Sequence, residues 1–473
     1  VPDVDAVVVG SGPNGLVAAV RLAEAGLSVL VLEASGRPGG GLRTDELTLP
    51  GFRHDVCSSA HPLAQASPAF RALQLEREGL DFAQPPAPVG HPLAPGISVL
   101  QWRDVERTAA QLGSDAARYR RVVGRLVEQW RPLVETVLDP LRWPPSGVLP
   151  AAGVGLLGAW GATAVNRWGL SEEPARALLS GLAAHATLDL AQPLTTGVGL
   201  MLGVLGHAVG WPVAVGGSQS IADALVARLE AHGGEVRTGH RVTRVDELPS
   251  HRALVLDLTP RQVVAVAGQI LPTRYLARLA RWRYGAGAFK VDWALDGPVP
   301  WADPELAQAG TLHLVGTAAQ AAAAERAVAL GKVPPRPYVL AGQPTVVDPS
   351  RAPSGRHTLG AYCHVPHGCT VDMTDAIESQ VERFAPGFRE RVLARHVMPP
   401  AALEAHNANL VGGDIAGGAA DWRQLAARPV LSAHPQVTPN PSVFLCSAST
   451  YPGGGVHGMG GWHAAREVLR RVG

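Results

Sequence analysis

Gly10, Gly12 and Gly15 are spaced G-x-G-x-x-G, and Glu33 follows them at the distance of one helix and one strand. Each position has its own chemistry: Gly10 permits a tight turn, Gly12 lets the backbone approach a pyrophosphate, and Gly15 lets helix and strand pack closely. Amides of the opening helix turn, which includes Ser11, Pro13 and Asn14, would face phosphate charge. Glu33 and the adjoining Ala34 would meet an adenosine ribose, where the carboxylate repels a 2′-phosphate. An adenine dinucleotide is the expected ligand. A second triplet, Gly153, Gly155 and Gly158, has no strand before it and no acid in register after it, and reads as helix packing.

Other chemistries find little support. There is no G-x-S-x-G elbow and no H-E-x-x-H, which disfavours a hydrolase. The run from Cys363 to Cys369 invites a zinc reading, but on a strand Cys363, His367 and Cys369 share a face in a spacing unlike Cys-x-x-Cys hairpins, so no metal is expected.

The elements that must position the glycine turn are legible as alternation. Ala6 to Val9 reads as a strand, Leu16 to Ala25 as an alanine-rich helix stopped by Gly26, and Val29 to Leu32 as a second, parallel strand. From about Phe70 to Val215 the periodicity becomes helical, with Asp115 to Leu138 charged on one face and a Pro- and Trp-rich joint at Arg142 to Ser146. Two apolar stretches there, Gly147 to Val165 and Leu194 to Val215, are broken by Pro150, His207 and Pro212, and read as core or tunnel-lining helices rather than membrane spans. A turn at Gly216 to Ser220 leads to a helix over Ile221 to Ala231 and to strands over Glu235 to Val245 and Ala253 to Leu258. Ala288 to Leu295 alternates as a strand. Val443 to Cys446 is a short buried strand, followed by YPGGGVHGMGG and a last helix from about Trp462.

A chain of 473 residues exceeds the size of a single core, so two interleaved domains are expected. The fold class is α/β: a Rossmann-like dinucleotide domain from residues 1–69, 216–280 and 405–473, and a discontinuous α+β cover domain from 70–215 and 281–404. Lysine and arginine number 41 against 40 acidic residues, so no field steers the chain toward nucleic acid, and peripheral contact is the membrane association this composition leaves open. Four cysteines without a Cys-x-x-Cys pair, and strand-like sequence almost from the first residue, fit a cytoplasmic protein without disulfides.

The segment after Leu32, EASGRPGGGLRTDELTLPGFRHD, resembles the flavin-dependent amine oxidase and phytoene desaturase superfamily. LCSASTYPGGGVHGMGGWHAA looks like the terminal motif of carotenoid desaturases, and WPVAVGGSQSIADAL and WRYGAGAFKVDWALDGPVPW extend the resemblance over most of the chain. Within the superfamily the chain is most similar to phytoene dehydrogenase-like proteins. The resemblance implies non-covalent FAD, with Arg37, Gly39, Gly40, Gly41, Arg43 and Thr44 near its phosphates and ribityl chain. Gly41 and Leu42 intervene where the superfamily's basic residue directly follows the Gly-Gly pair. It further implies Val242 over the adenine, and Gly453, Gly454, Gly455, Val456, His457 and Gly458 as backbone donors at the flavin edge. Lys290 falls where amine oxidases often carry a lysine bridged by water to the flavin, and is with His457 a candidate catalytic residue.

The function so implied is phytoene desaturase-like: oxidation, desaturation or isomerisation of an apolar or amphipathic substrate, with hydride transfer to flavin. No second nucleotide-binding βαβ unit is apparent, so dioxygen or a quinone-like carrier is the expected acceptor. Two alternatives stand beside it. An amine or amino-acid oxidase releasing hydrogen peroxide would need an aromatic pair over the flavin, for which Trp211, Trp293 and Trp462 are candidates. A non-catalytic binding module on a flavoprotein fold would need no turnover at all.

Overall fold

Val4–Val9 and Val29–Leu32 lie side by side and parallel, joined by the helix Pro13–Glu24. Val29–Leu32 is apolar throughout and Val4–Val9 is so from Ala6 onward, because helices cover both faces of the sheet they belong to. His251–Leu256 pairs on the other side of the first strand, Val443–Leu445 beyond it, and Glu235–Arg237 outside the second. The result is a five-stranded parallel sheet with Val4–Val9 at its centre. All five strands run the same way, so the residues that follow Val9, Leu32, Leu256 and Leu445 emerge along one edge, where parallel sheets bind ligands. The last helix, Met459–Val472, packs on Pro13–Glu24 and brings the loop before it to that same edge. The structure is a computed structural model that describes residues 2–139 and 158–472. The joint at Arg142 to Ser146, most of the apolar stretch from Gly147, and Gly153 and Gly155 lie outside those residues.

A second, seven-stranded sheet stands over this edge, in the order Val392–Met398, Gly287–Leu295, His357–Val365, Val339–Gly342, Ala309–Leu314, Ala87–Ala94 and Ile97–Gln101. Its pairs are antiparallel except Ala309–Leu314 with Ala87–Ala94. On Gly287–Leu295 the residues Phe289, Val291 and Trp293 enter a core closed by the helix Thr374–Phe384, while Ala288, Lys290 and Asp292 face the other way. The helices Glu173–Ala184 and Thr195–Ala208 pack on each other, and the former also on the Ala87–Gln101 hairpin.

That hairpin corrects the reading of 70–215 as helical throughout. APVGHPLA carries two prolines and a glycine, which hide a period of two, and its strand exists because Ala309–Leu314 supplies a partner. Asp115 to Leu138 also breaks into short segments, with a π-helical turn at Arg120–Gly124. The strand expected over Glu235 to Val245 stops at Arg237; from there the chain turns back on Glu33, with His240 N–H donating to the Glu33 carbonyl. Among the described residues no helix is long and apolar enough to cross a membrane.

Candidate functional site

The glycine turn is shaped by what lies beneath it. Gly10 has φ +97°, a left-handed conformation that favours glycine, and a side chain at Gly15 would overlap the Gly10 carbonyl oxygen. Under the turn, Asp257 closes the strand His251–Leu256, and its carboxylate accepts the Gly15 N–H at 3.0 Å. Asp257 is buried at the cavity wall; burial, reinforced by Glu33 and opposed by the Gly15 and Gly12 amides, pushes its carboxyl up to about 7. Glu33 accepts Ser11 N–H at 2.9 Å and Ser11 Oγ–H at 2.5 Å on one oxygen, and Ser35 N–H and Oγ–H at 2.8 and 2.9 Å on the other. Burial alone would raise Glu33, but these four donors outweigh it and hold the carboxyl below its ordinary value.

A cavity of about 1250 Å³ begins against this turn. Its wall takes in Gly10, Ser11, Gly12, Pro13 and Asn14, then Glu33 and Ala34, and Val242 where the chain folds back past Glu33. Farther along, Val198, Met201 and Leu202 of the helix Thr195–Ala208 join Trp211 and Leu340 in an apolar wall. The space exceeds the roughly 300–1000 Å³ of a typical small-molecule site, enough for a dinucleotide and a second ligand. The residues at the turn fit a dinucleotide diphosphate: glycine backbone without side chains at Gly10 and Gly12 beside a helix start, and two arginines in the wall that hydrogen-bond carbonyls only. Arg43 donates to the Gly40 and His406 carbonyls at 3.1 and 3.0 Å, and Arg428, almost wholly buried, donates to those of Ala448 and Ala416 at 2.8 Å. Burial lowers both guanidiniums, Arg428 to about 10.

Several expected residues stand elsewhere. The Arg37 guanidinium turns outward to the Thr44 carbonyl and the Asp45 carboxylate, at 2.7 and 2.6 Å. Thr44 is committed to Asp55, and Gly39 N–H ties its loop to the Ser11 carbonyl; neither lines the cavity. Gly40 and Gly41 do line it, whereas Gly458 packs on Val17 and Phe70. From the last loop Gly453, Gly454, Gly455, Val456 and His457 reach the cavity. The His457 imidazole is spent within that loop: Nδ1 accepts Met459 N–H at 3.0 Å, so Nε2 carries the hydrogen that goes to the Gly453 carbonyl at 3.2 Å. With burial pulling it down to about 4, this ring is a neutral brace with no nitrogen left for a substrate.

Lys290 faces the cavity, but not as a lone cation. Its ammonium is ion-paired with Asp292 two residues along the same strand face, and Gly360 opposite leaves the room for that pair. Burial raises the Asp292 carboxyl against the pull of Lys290. Its other oxygen lies 3.7 Å from Nδ1 of His54, which burial and Lys290 press down to about 3 and so keep neutral. Of the three candidate tryptophans only Trp211 reaches the cavity; Trp293 is in the second core, bonded to Glu378 at 2.9 Å, and Trp462 stacks with Arg21. Cys363 is buried in its strand, and among the described residues no cluster of three or more His, Cys, Asp and Glu could hold a metal. Asp257, Asp292, Arg428 and His185 all line the cavity and were missed in the sequence. Only Asp257 left a trace there, as an acid closing a buried strand.

Comparison with known proteins agrees with this geometry. Residues 8–74 match the NAD(P)-binding Rossmann-like domain family. The chain is 27% identical to pyridine nucleotide-disulfide oxidoreductase domain-containing protein 2 of Rattus norvegicus, over 99% of this chain and 94% of that protein. It is 26% identical to the neurosporene-forming phytoene desaturase of Rhodobacter capsulatus, over 95% and 91% of the two. The solved structure of putrescine oxidase bound to putrescine has the same fold, with a TM-score of 0.62 at 18% identity over 99% of this chain and 98% of that one. By fold and by similarity along its length, the chain resembles oxidoreductases built on a dinucleotide-binding Rossmann-like domain, phytoene desaturase among them, and it shares the fold of putrescine oxidase.

Proposed function

We propose that the chain binds FAD non-covalently and uses it to oxidise, desaturate or isomerise an apolar or amphipathic substrate, with dioxygen or a quinone-like carrier as electron acceptor. The observation that carries this reading is the continuity of one cavity from the dinucleotide turn to the apolar wall of Val198, Met201, Leu202 and Trp211. Bound FAD supplies two-electron chemistry at a substrate C–H bond. Gly10 to Asn14 and Glu33 hold the adenosine and diphosphate, Arg43 and Arg428 add positive charge, and the loop from Gly453 to His457 covers the flavin end. The apolar wall binds the substrate and keeps water from it. Lys290 sits in the wall as half of an ion pair, so its role is to position groups rather than to supply net charge. A desaturase-like reading is preferred to an amine oxidase because the far wall, Val198, Met201, Leu202 and Leu340, is apolar.

The test is direct. Purified chain should be yellow or become so with added FAD, and denaturation should release the flavin intact. Polyene, fatty or terpenoid compounds should then bleach it anaerobically, or be converted without net reduction if the reaction is an isomerisation. A folded chain that takes up no FAD overturns the proposal; bleaching by primary amines alone transfers it to the amine oxidase reading.

A further inference from the structure

Behind the apolar wall lies a cluster that the reading above does not use. His185, at the end of the helix Glu173–Ala184, lines the cavity with its ring edge-on to Trp211 at 5.3 Å. Its Nε2 points into the wall and meets Nε2 of His313 at 3.0 Å. His313 is packed in turn against His91, whose Nε2 lies 2.6 Å from the Gly316 carbonyl oxygen. Burial keeps the set neutral, helped by His364 at His185 and by both neighbouring rings at His313, and outweighing the Gly316 carbonyl at His91: His185 falls to about 3, His91 to about 4, and His313 well below its ordinary value.

Neutral rings in these positions have a determined hydrogen pattern. A carbonyl only accepts, so the His91 hydrogen is on Nε2 and its Nδ1 is a bare lone pair. Between His185 and His313 one Nε2 must donate. His313 Nδ1 is buried against Gly181 without a partner, and a hydrogen there would be an enclosed donor with no acceptor, the costlier tautomer. The His313 hydrogen is therefore on Nε2, His185 Nε2 accepts it, and His185 carries its own hydrogen on Nδ1. That Nδ1 makes no hydrogen bond among the described residues, and it is not among their enclosed polar atoms.

Placement follows from the sheet. His313, Leu340, Tyr362 and Lys290 are successive cross-strand partners in one row. Three strand spacings put His313 roughly 14 Å from Lys290, so the imidazole donor lies at the opposite end of the row from the Lys290–Asp292 pair. Around it the wall is Trp211, Leu202 and Leu340.

We propose that His185 Nδ1–H is the donor that binds a substrate oxygen, carbonyl or hydroxyl, at the apolar end of the cavity, so that the substrate is an oxygenated lipid or terpenoid rather than a pure hydrocarbon. The inference rests on the cavity being the substrate site, and it sharpens the substrate class. Calorimetric titration of the FAD-treated protein with methyl hexyl ketone, octyl alcohol and octane tests it. The ketone and alcohol should bind about three- to ten-fold more tightly than octane. His185→Phe should remove that difference and leave octane affinity within about two-fold, while His185→Gln, whose amide still donates, should retain part of it. Equal affinity for the three probes in the unmodified protein, or a His185→Phe variant that weakens octane as much as the ketone, overturns the inference. FAD content of the same samples separates the two readings: ketone preference without FAD upholds His185 and sinks the flavin assignment, whereas FAD without ketone preference sinks His185 alone.

Discussion

Asp257 and Glu33 both press negative charge against a turn shaped to receive more of it, and they tolerate this differently. Glu33 is ionised because four donors surround it. Asp257 is buried with only the Gly15 amide, at 3.0 Å, and the Gly12 amide to offset that burial, which is why its carboxyl is pushed up to about 7. Its folded value lies above the unfolded value of about 3.9, so the folded chain holds the proton more tightly between them. The stability it contributes is full below the unfolded value and is lost as pH rises through about 7. A bound diphosphate would push the carboxyl higher still, so dinucleotide affinity should fall as pH is raised from about 6 to about 8. Asp257→Asn should flatten that dependence, measured by quenching of FAD fluorescence; an equal slope in both proteins would show that another group governs it. Gly15 was legible in advance because the motif's spacing is local. Asp257 leaves only the trace of an acid closing a buried strand, and nothing local says that it meets the turn, which follows from His251–Leu256 inserting beside Val4–Val9.

Between the two sheets one element acts as a clamp. Arg351, fully buried, donates to Asp55 at 2.7 Å and to Asp348 at 2.9 Å. Asp55 also accepts Thr44 Oγ–H and Ser218 N–H, and Asp348 accepts Gly216 N–H, so one guanidinium ties the Thr44–Asp55 pairing to the turn at Gly216 to Ser220. Burial would raise the Asp55 carboxyl, but Arg351 and the other donors carry it down to about 2. Removing the cation leaves two buried carboxylates unpaired, and Arg351→Met should cost about 3–5 kcal/mol of stability in denaturant unfolding. A loss below about 1 kcal/mol would mean that water or backbone replaces the arginine. Elements of this kind mark the limit of sequence reading. The βαβ unit and the terminal glycine loop could be read because neighbours in sequence are neighbours in space. The Ala87–Gln101 hairpin, the Arg351 clamp and the Lys290–Asp292 pair depend on partners far along the chain or on which strand face is covered, and Arg37 turns to the nearby Asp45 instead of to the cavity.

For the molecule as a whole, the cavity joins two surfaces that are built independently: a parallel-sheet edge that grips a dinucleotide, and an apolar wall hung on the helix Thr195–Ala208 and the second sheet. If they serve two ligands, they should be separable by substitution. Val198 lines the cavity on that helix and belongs to the wall rather than to the turn. Val198→Trp adds bulk in open space instead of in a packed core, so its folding cost should stay below the 1–3 kcal/mol of core overpacking. The added ring should occupy substrate volume, raising KM or abolishing anaerobic bleaching by more than ten-fold, with FAD uptake changed by less than about two-fold. If FAD uptake falls in step with substrate binding, the flavin extends into the Val198 wall and the division of the cavity is wrong. If neither changes, the substrate enters elsewhere, and the apolar wall is packing rather than a binding surface.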